Sequence, residues 1–424
     1  MLTADSKARR LVLVLAVTAF LLLGTTPAIK PNAANAEPIT VRYAYWVNNQ
    51  SDIAYMNQVF KEFNRTHQDI QVVPEQFLGD YTKLTTQLAT NTAPDAVEMA
   101  IEYMPGFARA GGLVPLDSLV GRQPGLNDAF FPALVKGWSY GGKQYGVPLN
   151  CQPLVMYYNQ DIFDDAGVSY PTSEWDWDSF LASARKLTNP SKKRWATTVM
   201  NWDGYWSSFV YANGGQVLSS DGKQSRMNMP ETKQALQFLV DLIFRYKVSP
   251  TMAEWATMGG WNKPFIDGHV AVDIEGRWLV PQARTDFKFA WDVALLPKRV
   301  TRGFPLYSLG VVITRSSKHL DAIWQVVNYV ASSKVQEGLA RTGTMVAARK
   351  NLAASDFFLK TMPPRNNVAF LEMLQWAVPL PPADWAKVAN VQNPELQKIF
   401  AGEVGVDEGT ETIVQKVNAL LTKG

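Results

Sequence analysis

The feature that most constrains this fold is a change of hydrophobic period that repeats between residues 39 and 100. Ile39, Val41, Tyr43 and Tyr45 alternate with other residues, the period of a strand with one buried face. Met56, Val59, Phe60 and Phe63 then recur at three- and four-residue steps, one face of a helix, with Ser51 or Asp52 as its cap. Ile70 to Val73 reads as a second strand, Tyr81, Leu84 and Leu88 as a second helix, and Ala96 to Ala100 as a third strand. Neither element buries its apolar side alone, and strand, helix, strand, helix predicts a parallel α/β sheet. The pattern recurs later, with strands over Leu154 to Tyr158 and Val270 to Ile274. Helices are expected over Ser179 to Leu187, Ala235 to Tyr246 (Pro230 and Glu231 near its start), Leu320 to Ala331 and Thr410 to Leu421. Pro363-Pro364 and Pro379 to Pro382 read as turns. A chain of 424 residues, 47% hydrophobic and 19% charged, is too long for one small module and too apolar for disorder, so two packed domains are expected.

The amino terminus reads as an address. Lys7, Arg9 and Arg10 precede thirteen uncharged, mostly apolar residues, Leu11 to Leu23, and a polar stretch leads to Ala34-Asn35-Ala36. That layout predicts a signal peptide over residues 1–36, cleaved after Ala36, and a periplasmic product. The apolar run is shorter than the roughly 20 residues of a spanning helix, and no cysteine stands at its end to accept a lipid. The first 36 residues hold four basic side chains and one acid, so the remainder balances at 37 of each sign. That balance argues against a whole-protein field for nucleic acid or an acidic membrane.

Catalytic signatures are scarce. His67, His269 and His319 are far apart and have no metal-ligand spacing, and a single cysteine, Cys151, excludes an internal disulfide and a cysteine-rich metal site. No metal, cofactor or catalytic residue is assigned. Asp164-Asp165, or Asp273 with Glu275, could serve as a glycosidase pair only at a spatial separation that sequence spacing does not fix.

Aromatic residues stand out instead. All 14 tryptophans follow residue 36, and several sit in polar or turn-like company: Trp46 before Asn48, Trp202 and Trp206 around Asp203-Gly204, Trp278 after Gly276-Arg277, and Trp385 after Asp384. Indole faces suit the C–H faces of sugar rings, whose hydroxyls need carboxylate, amide or guanidinium partners. Asn48, Glu102, Gln152, Asp203 and Arg277 lie beside these aromatics.

One stretch carries a resemblance. Gly141-Gly142-Lys143-Gln144-Tyr145-Gly146-Val147-Pro148-Leu149, then Tyr158-Asn159-Gln160-Asp161-Ile162-Phe163 and Ala166-Gly167, resembles a signature of extracellular solute-binding proteins of ABC importers, in the sugar-binding, maltose-binding-protein-like family. Pro94-Asp95, Asn213-Gly214-Gly215, and Phe265 to Val272 with Gly276-Arg277-Trp278 match further family pieces in the same order. The resemblance implies a two-lobe α/β fold of the periplasmic-binding type (type II-like), a hinge of crossing segments, and a ligand cleft between the lobes. Crossings are expected near Leu149 to Leu154, Phe304 to Leu309 and Thr344 to Ala348. Residues 37–151 plus 305–345 would form lobe one, and 152–304 plus 346–424 lobe two.

The same resemblance implies a monomer that captures a sugar or oligosaccharide and delivers it to permease transmembrane subunits, without catalysis. Its implied ligand contacts are Trp46, Asn48, Glu102, Tyr103, Gln152, Trp202, Tyr205, Trp206, Trp278, Tyr307 and Trp385. Met99 departs from a family tryptophan and Gln152 from a family glutamate. The residues leave open a secreted carbohydrate-active enzyme and a binder of a phosphorylated polyol, through Arg277, Arg302 or Arg315. A ferric-ion binder using Tyr157-Tyr158 also stays open.

Overall fold

A computed structural model describes residues 37–47 and 50–422. The expected signal segment and Asn48 lie outside these residues. Eight strands build the two larger sheets: β1 (Ile39–Trp46), β2 (Ile70–Phe77), β3 (Ala96–Ala100), β4 (Gly146–Pro148), β5 (Val155–Asn159), β6 (Val272–Glu275), β7 (Trp291–Ala294) and β8 (Leu309–Ile313). Around them pack helices α1 (Gln50–Thr66), α2 (Tyr81–Ala89), α3 (Trp177–Leu187), α4 (Asp203–Ala212), α5 (Pro230–Phe244), α6 (Leu320–Val330), α7 (Ser333–Arg341), α8 (Trp385–Ala401) and α9 (Val406–Leu421).

The first lobe is built on a five-stranded sheet in the order β2-β1-β3-β8-β4. β1 runs parallel to β2 and β3, as the alternating pattern predicts, whereas β8 is antiparallel to β3 and β4. Val41, Tyr43 and Tyr45 are buried on β1, and Met56, Val59, Phe60 and Phe63 form the buried face of α1. The Tyr43 and Phe60 rings meet with centroids 5.1 Å apart; burying such a side chain contributes about 1.5–3 kcal/mol. α1 begins at Gln50, so Ser51 and Asp52 occupy its first turn rather than its cap.

The second sheet departs from the parallel expectation. Its order is β7-β5-β6, with both pairings antiparallel. β6 and β7 thus run in one direction on either side of β5, joined by a crossover that contains the helix Val280–Asp286. Strand direction is not written in the local pattern here, because the strand paired with both, β5, lies more than a hundred residues away in sequence. Asn159 ends β5 and caps the next short helix, accepting from the Ile162 N–H at 3.2 Å, which is the physical content of the Tyr-Asn-x-Asp signature.

Three passages of chain run between the two sheets' surroundings: residues 149–154 from β4 to β5, residues 295–308 from β7 to β8, and the segment after α7. Asn150–Cys151 pairs with Val346–Ala347, Gln152 bridges Tyr307, and Phe304–Pro305 pairs with Ala377–Val378. Asn150 Oδ1 accepts from the Leu309 N–H at 2.7 Å, while the Ser308 hydroxyl donates to the Asn150 carbonyl at 2.7 Å and accepts from the Trp138 indole at 3.0 Å. Cys151 is fully buried within these passages, and burial pushes its thiol well up from the ordinary range. No helix among the described residues is long and apolar enough to cross a membrane.

Candidate ligand cleft

A cleft of about 280 Å³ opens where the lobes and the passages meet. The first lobe contributes Trp46 at the end of β1, and Ala100 and Glu102 at the end of β3. The second contributes Trp202 and Asp203 at the start of α4, Trp261, and Trp278 in the turn after β6. Gln152, Tyr307, Ser308 and Leu309 line it from the passages. Strand ends and a helix start suit this task, because the backbone there is held by the sheet while the side chain projects beyond it.

The aromatic wall is compact. Trp202 stacks on Tyr307 with centroids 6.2 Å apart at 14°, and meets Trp278 edge-on at 6.0 Å and 81°. Trp261 lies 5.5 Å from Trp202. The Trp278 indole N–H donates to Glu275 Oε2 at 2.7 Å, so a buried carboxyl holds the ring's orientation from behind. Across the cleft, Trp46 packs edge-on against Phe77 at 5.8 Å.

The polar lining is desolvated. Burial raises Glu102 from the usual carboxylate range to about 8, and the Asp203 charge adds to the rise. Asp203 is also raised by burial. The Tyr307 hydroxyl stands close enough to offset part of that rise, although no hydrogen bond of regular geometry joins the two. Among the described residues, Glu102 Oε2, Gln152 Oε1 and Tyr307 Oη are buried without a hydrogen-bond partner. Buried polar atoms left unpaired cost about 1–3 kcal/mol each, so a ligand carrying hydroxyls gains by meeting them.

Several expected contacts do not reach this cleft. Tyr205 and Trp206 are fully buried on α4, whereas Trp202 precedes that helix as its N-cap, in extended backbone that projects its ring into the cleft. Tyr205 shares a hydrogen bond of 2.9 Å with Thr197. Trp385 opens α8 as a buried residue, its indole donating to the Pro381 carbonyl at 2.9 Å. Tyr103 stacks on Tyr81 at 3.6 Å within the first lobe. Arg277 points into a different cavity, and Arg302 donates to the Leu296 carbonyl at 2.7 Å. Tyr157 is fully buried, with its hydroxyl donating to the Gly276 carbonyl at 2.8 Å. Asp273 and Glu275 are buried behind Trp278 rather than lining the cleft.

Residues 47–337 match the family of bacterial extracellular solute-binding proteins. The chain belongs to that family. A binding protein of Brucella abortus (strain 2308) is 23% identical over 380 residues, covering 87% of this chain and 90% of the relative. The maltotriose-binding protein of Pyrococcus abyssi is 22% identical over 68% of this chain and 62% of its own length. An ABC substrate-binding protein from Listeria monocytogenes, solved with cycloalternan, superposes with a TM-score of 0.83 at 26% identity, covering 91% of this chain and 99% of that one.

Within this solute-binding protein, Ala100, Asp203, Trp261, Ser308 and Leu309 line the cleft without being among the contacts expected from the sequence. In the sequence Asp203 reads only as a polar neighbour of Trp202. The signal for Trp261 is the run Gly259-Gly260-Trp261-Asn262, an aromatic in a turn. Trp261 adopts φ +44 and is 46% exposed, an uncommon backbone state for a bulky residue and one associated with functional positions.

Proposed function

We propose that the protein captures a sugar or oligosaccharide in this cleft and delivers it to the transmembrane subunits of an ABC importer, acting as a periplasmic monomer without catalysis. The observation that carries this reading is the pairing of an aromatic wall, Trp202, Trp261, Trp278 and Tyr307, with unpaired buried polar atoms on Glu102, Gln152 and Tyr307. Indole faces pack on sugar C–H faces, and the unpaired atoms accept from or donate to hydroxyls. The names of relatives point the same way: one binds maltotriose, and the Listeria structure holds cycloalternan. In this reading the lobes divide at the three passages, close to 37–151 plus 305–345 and 152–304 plus 346–424, and they close on the ligand. A glycosidase reading draws no support from Asp273 and Glu275, since neither faces the cleft.

A thermal-shift screen with mono- to tetrasaccharides and polyols tests the assignment, because binding to the native state raises the melting temperature by mass action. A saturable shift with one sugar class, without new reducing ends on long incubation, supports a binding protein. Turnover of the sugar, or a shift only with non-carbohydrate solutes, overturns it.

A further inference from the structure

Trp278 lines the cleft, but its neighbour Arg277 lines a second cavity of about 310 Å³. Its charged walls are Arg277, Arg284, Arg341 and Lys360 against a single carboxylate, Asp356. Two of the four cations are already paired: Lys360 with Asp356 at 2.7 Å and Arg341 with Glu337 at 2.7 Å. Arg277 and Arg284 pair with no carboxylate among the described residues.

Arg277 is 1% exposed and donates through Nη1 to Asn367 Oδ1 at 2.6 Å. The Phe358 and Phe370 rings flank its guanidinium at 4.3 and 5.2 Å, but its Nε has no partner. Arg284 donates through Nε to the Pro363 carbonyl at 2.9 Å, and its buried Nη2 has no partner. Burial lowers Arg277 to about 10, and repulsion from Arg284 contributes, so it stays charged at neutral pH. Arg277 is buried and Arg284 half-buried, and a buried guanidinium with a free donor and no counter-charge is costly unless an anion joins it. Their planar forks suit bidentate binding of an oxyanion.

We propose that this cavity is a second binding site, separate from the sugar cleft, for a small multivalent oxyanion of the phosphate class held between Arg277 and Arg284. Arg277 and Arg284 belong to the segment around β6, whereas Arg341 ends α7 and Gly343 opens the third passage. The cavity is therefore lined from both sides of the third passage, with the anion itself held on the β6 side.

Titration calorimetry of the full protein with inorganic phosphate, at constant ionic strength, tests the site, with glycerol phosphate and sodium chloride as parallel arms. Saturable phosphate binding is expected, weakened at least tenfold in Arg284→Gln and unchanged in Trp278→Ala. Binding of inorganic phosphate alone identifies the free ion as ligand, and tighter binding of glycerol phosphate identifies an organophosphate. Absence of saturable heat, equal affinity in Arg284→Gln, or the same saturable heat with sodium chloride overturns the proposal. Should Arg284→Gln fail to fold, wild-type crystals soaked in selenate provide the second readout. An anomalous peak within hydrogen-bond reach of Arg277 Nε and Arg284 Nη2 is expected, and an empty cavity overturns the site.

Discussion

The six-membered ring of Trp278 covers the α-carbon of Gly276: a Cβ built there would stand 2.1 Å from Trp278 Cζ3. Gly204 has the same relation to Trp202, at 2.4 Å from Cζ2. Two of the three indoles of the aromatic wall thus each rest on a glycine two residues away in sequence. Gly276 has φ −88 and ψ −176, backbone open to any residue, so the glycine is required by the ring above it and not by the turn.

Gly276→Ala should therefore displace the Trp278 ring while leaving the fold intact. Affinity for the proposed sugar is expected to fall at least about tenfold, equivalent to about 1.4 kcal/mol, with a small change in apo melting temperature. Wild-type affinity in a folded Gly276→Ala protein would show that the ring position does not matter to binding.

Trp278→Ala and Trp206→Ala should separate binding from folding. Removing an aromatic anchor from a desolvated site typically costs about 2 kcal/mol or more, so Trp278→Ala is expected to lose roughly thirtyfold in affinity. Trp206 is fully buried, and its truncation should cost about 3–5 kcal/mol of stability. Calorimetry and denaturant unfolding on both variants distinguish the two roles.

Stability should fall as pH rises. Burial raises Glu98 to about 7 and Glu102 to about 8 from an ordinary 4.5, and Asp273 with Glu275 is shifted upward for the same reason. The folded state binds more protons than the unfolded state between the two values, so their contribution is present below about 4.5 and lost progressively up to about 8. The apo melting temperature should decline across that window. Glu102→Gln, which stays neutral, should flatten the upper part of the decline; a steeper or unchanged slope there would refute the assignment.

Ligand should bring the lobes together, because Trp46 and Glu102 on one side and Trp202 and Trp278 on the other line a single cleft. Small-angle scattering with saturating sugar is expected to give a smaller radius of gyration. An unchanged profile despite measured binding would remove the hinge from the proposal.

Much of the architecture was legible because its signals are local. The alternation in Ile39–Trp46 and the stepped apolar residues of α1 mark their elements without any distant contact, and those elements form where the periods predict. The helix expected at Ser179 starts two residues earlier, where Asp176 caps it by accepting from the Ser179 N–H at 2.8 Å. Strand direction in the second sheet was not legible, because β5 finds its partners across long stretches of chain.

The site divides along the same line. Sequence alone determined that tryptophans cluster beside polar groups and that the family's motifs occur in order, since residue type and spacing are local properties. Only the tertiary structure decided which aromatics face the ligand. Trp202 and Trp206 lie four positions apart on one short stretch, yet one lines the cleft and the other fills the core. Which face of α4 meets solvent depends on where α5, β6 and the Phe304–Pro305 passage pack against it, and those contacts come from residues far along the chain.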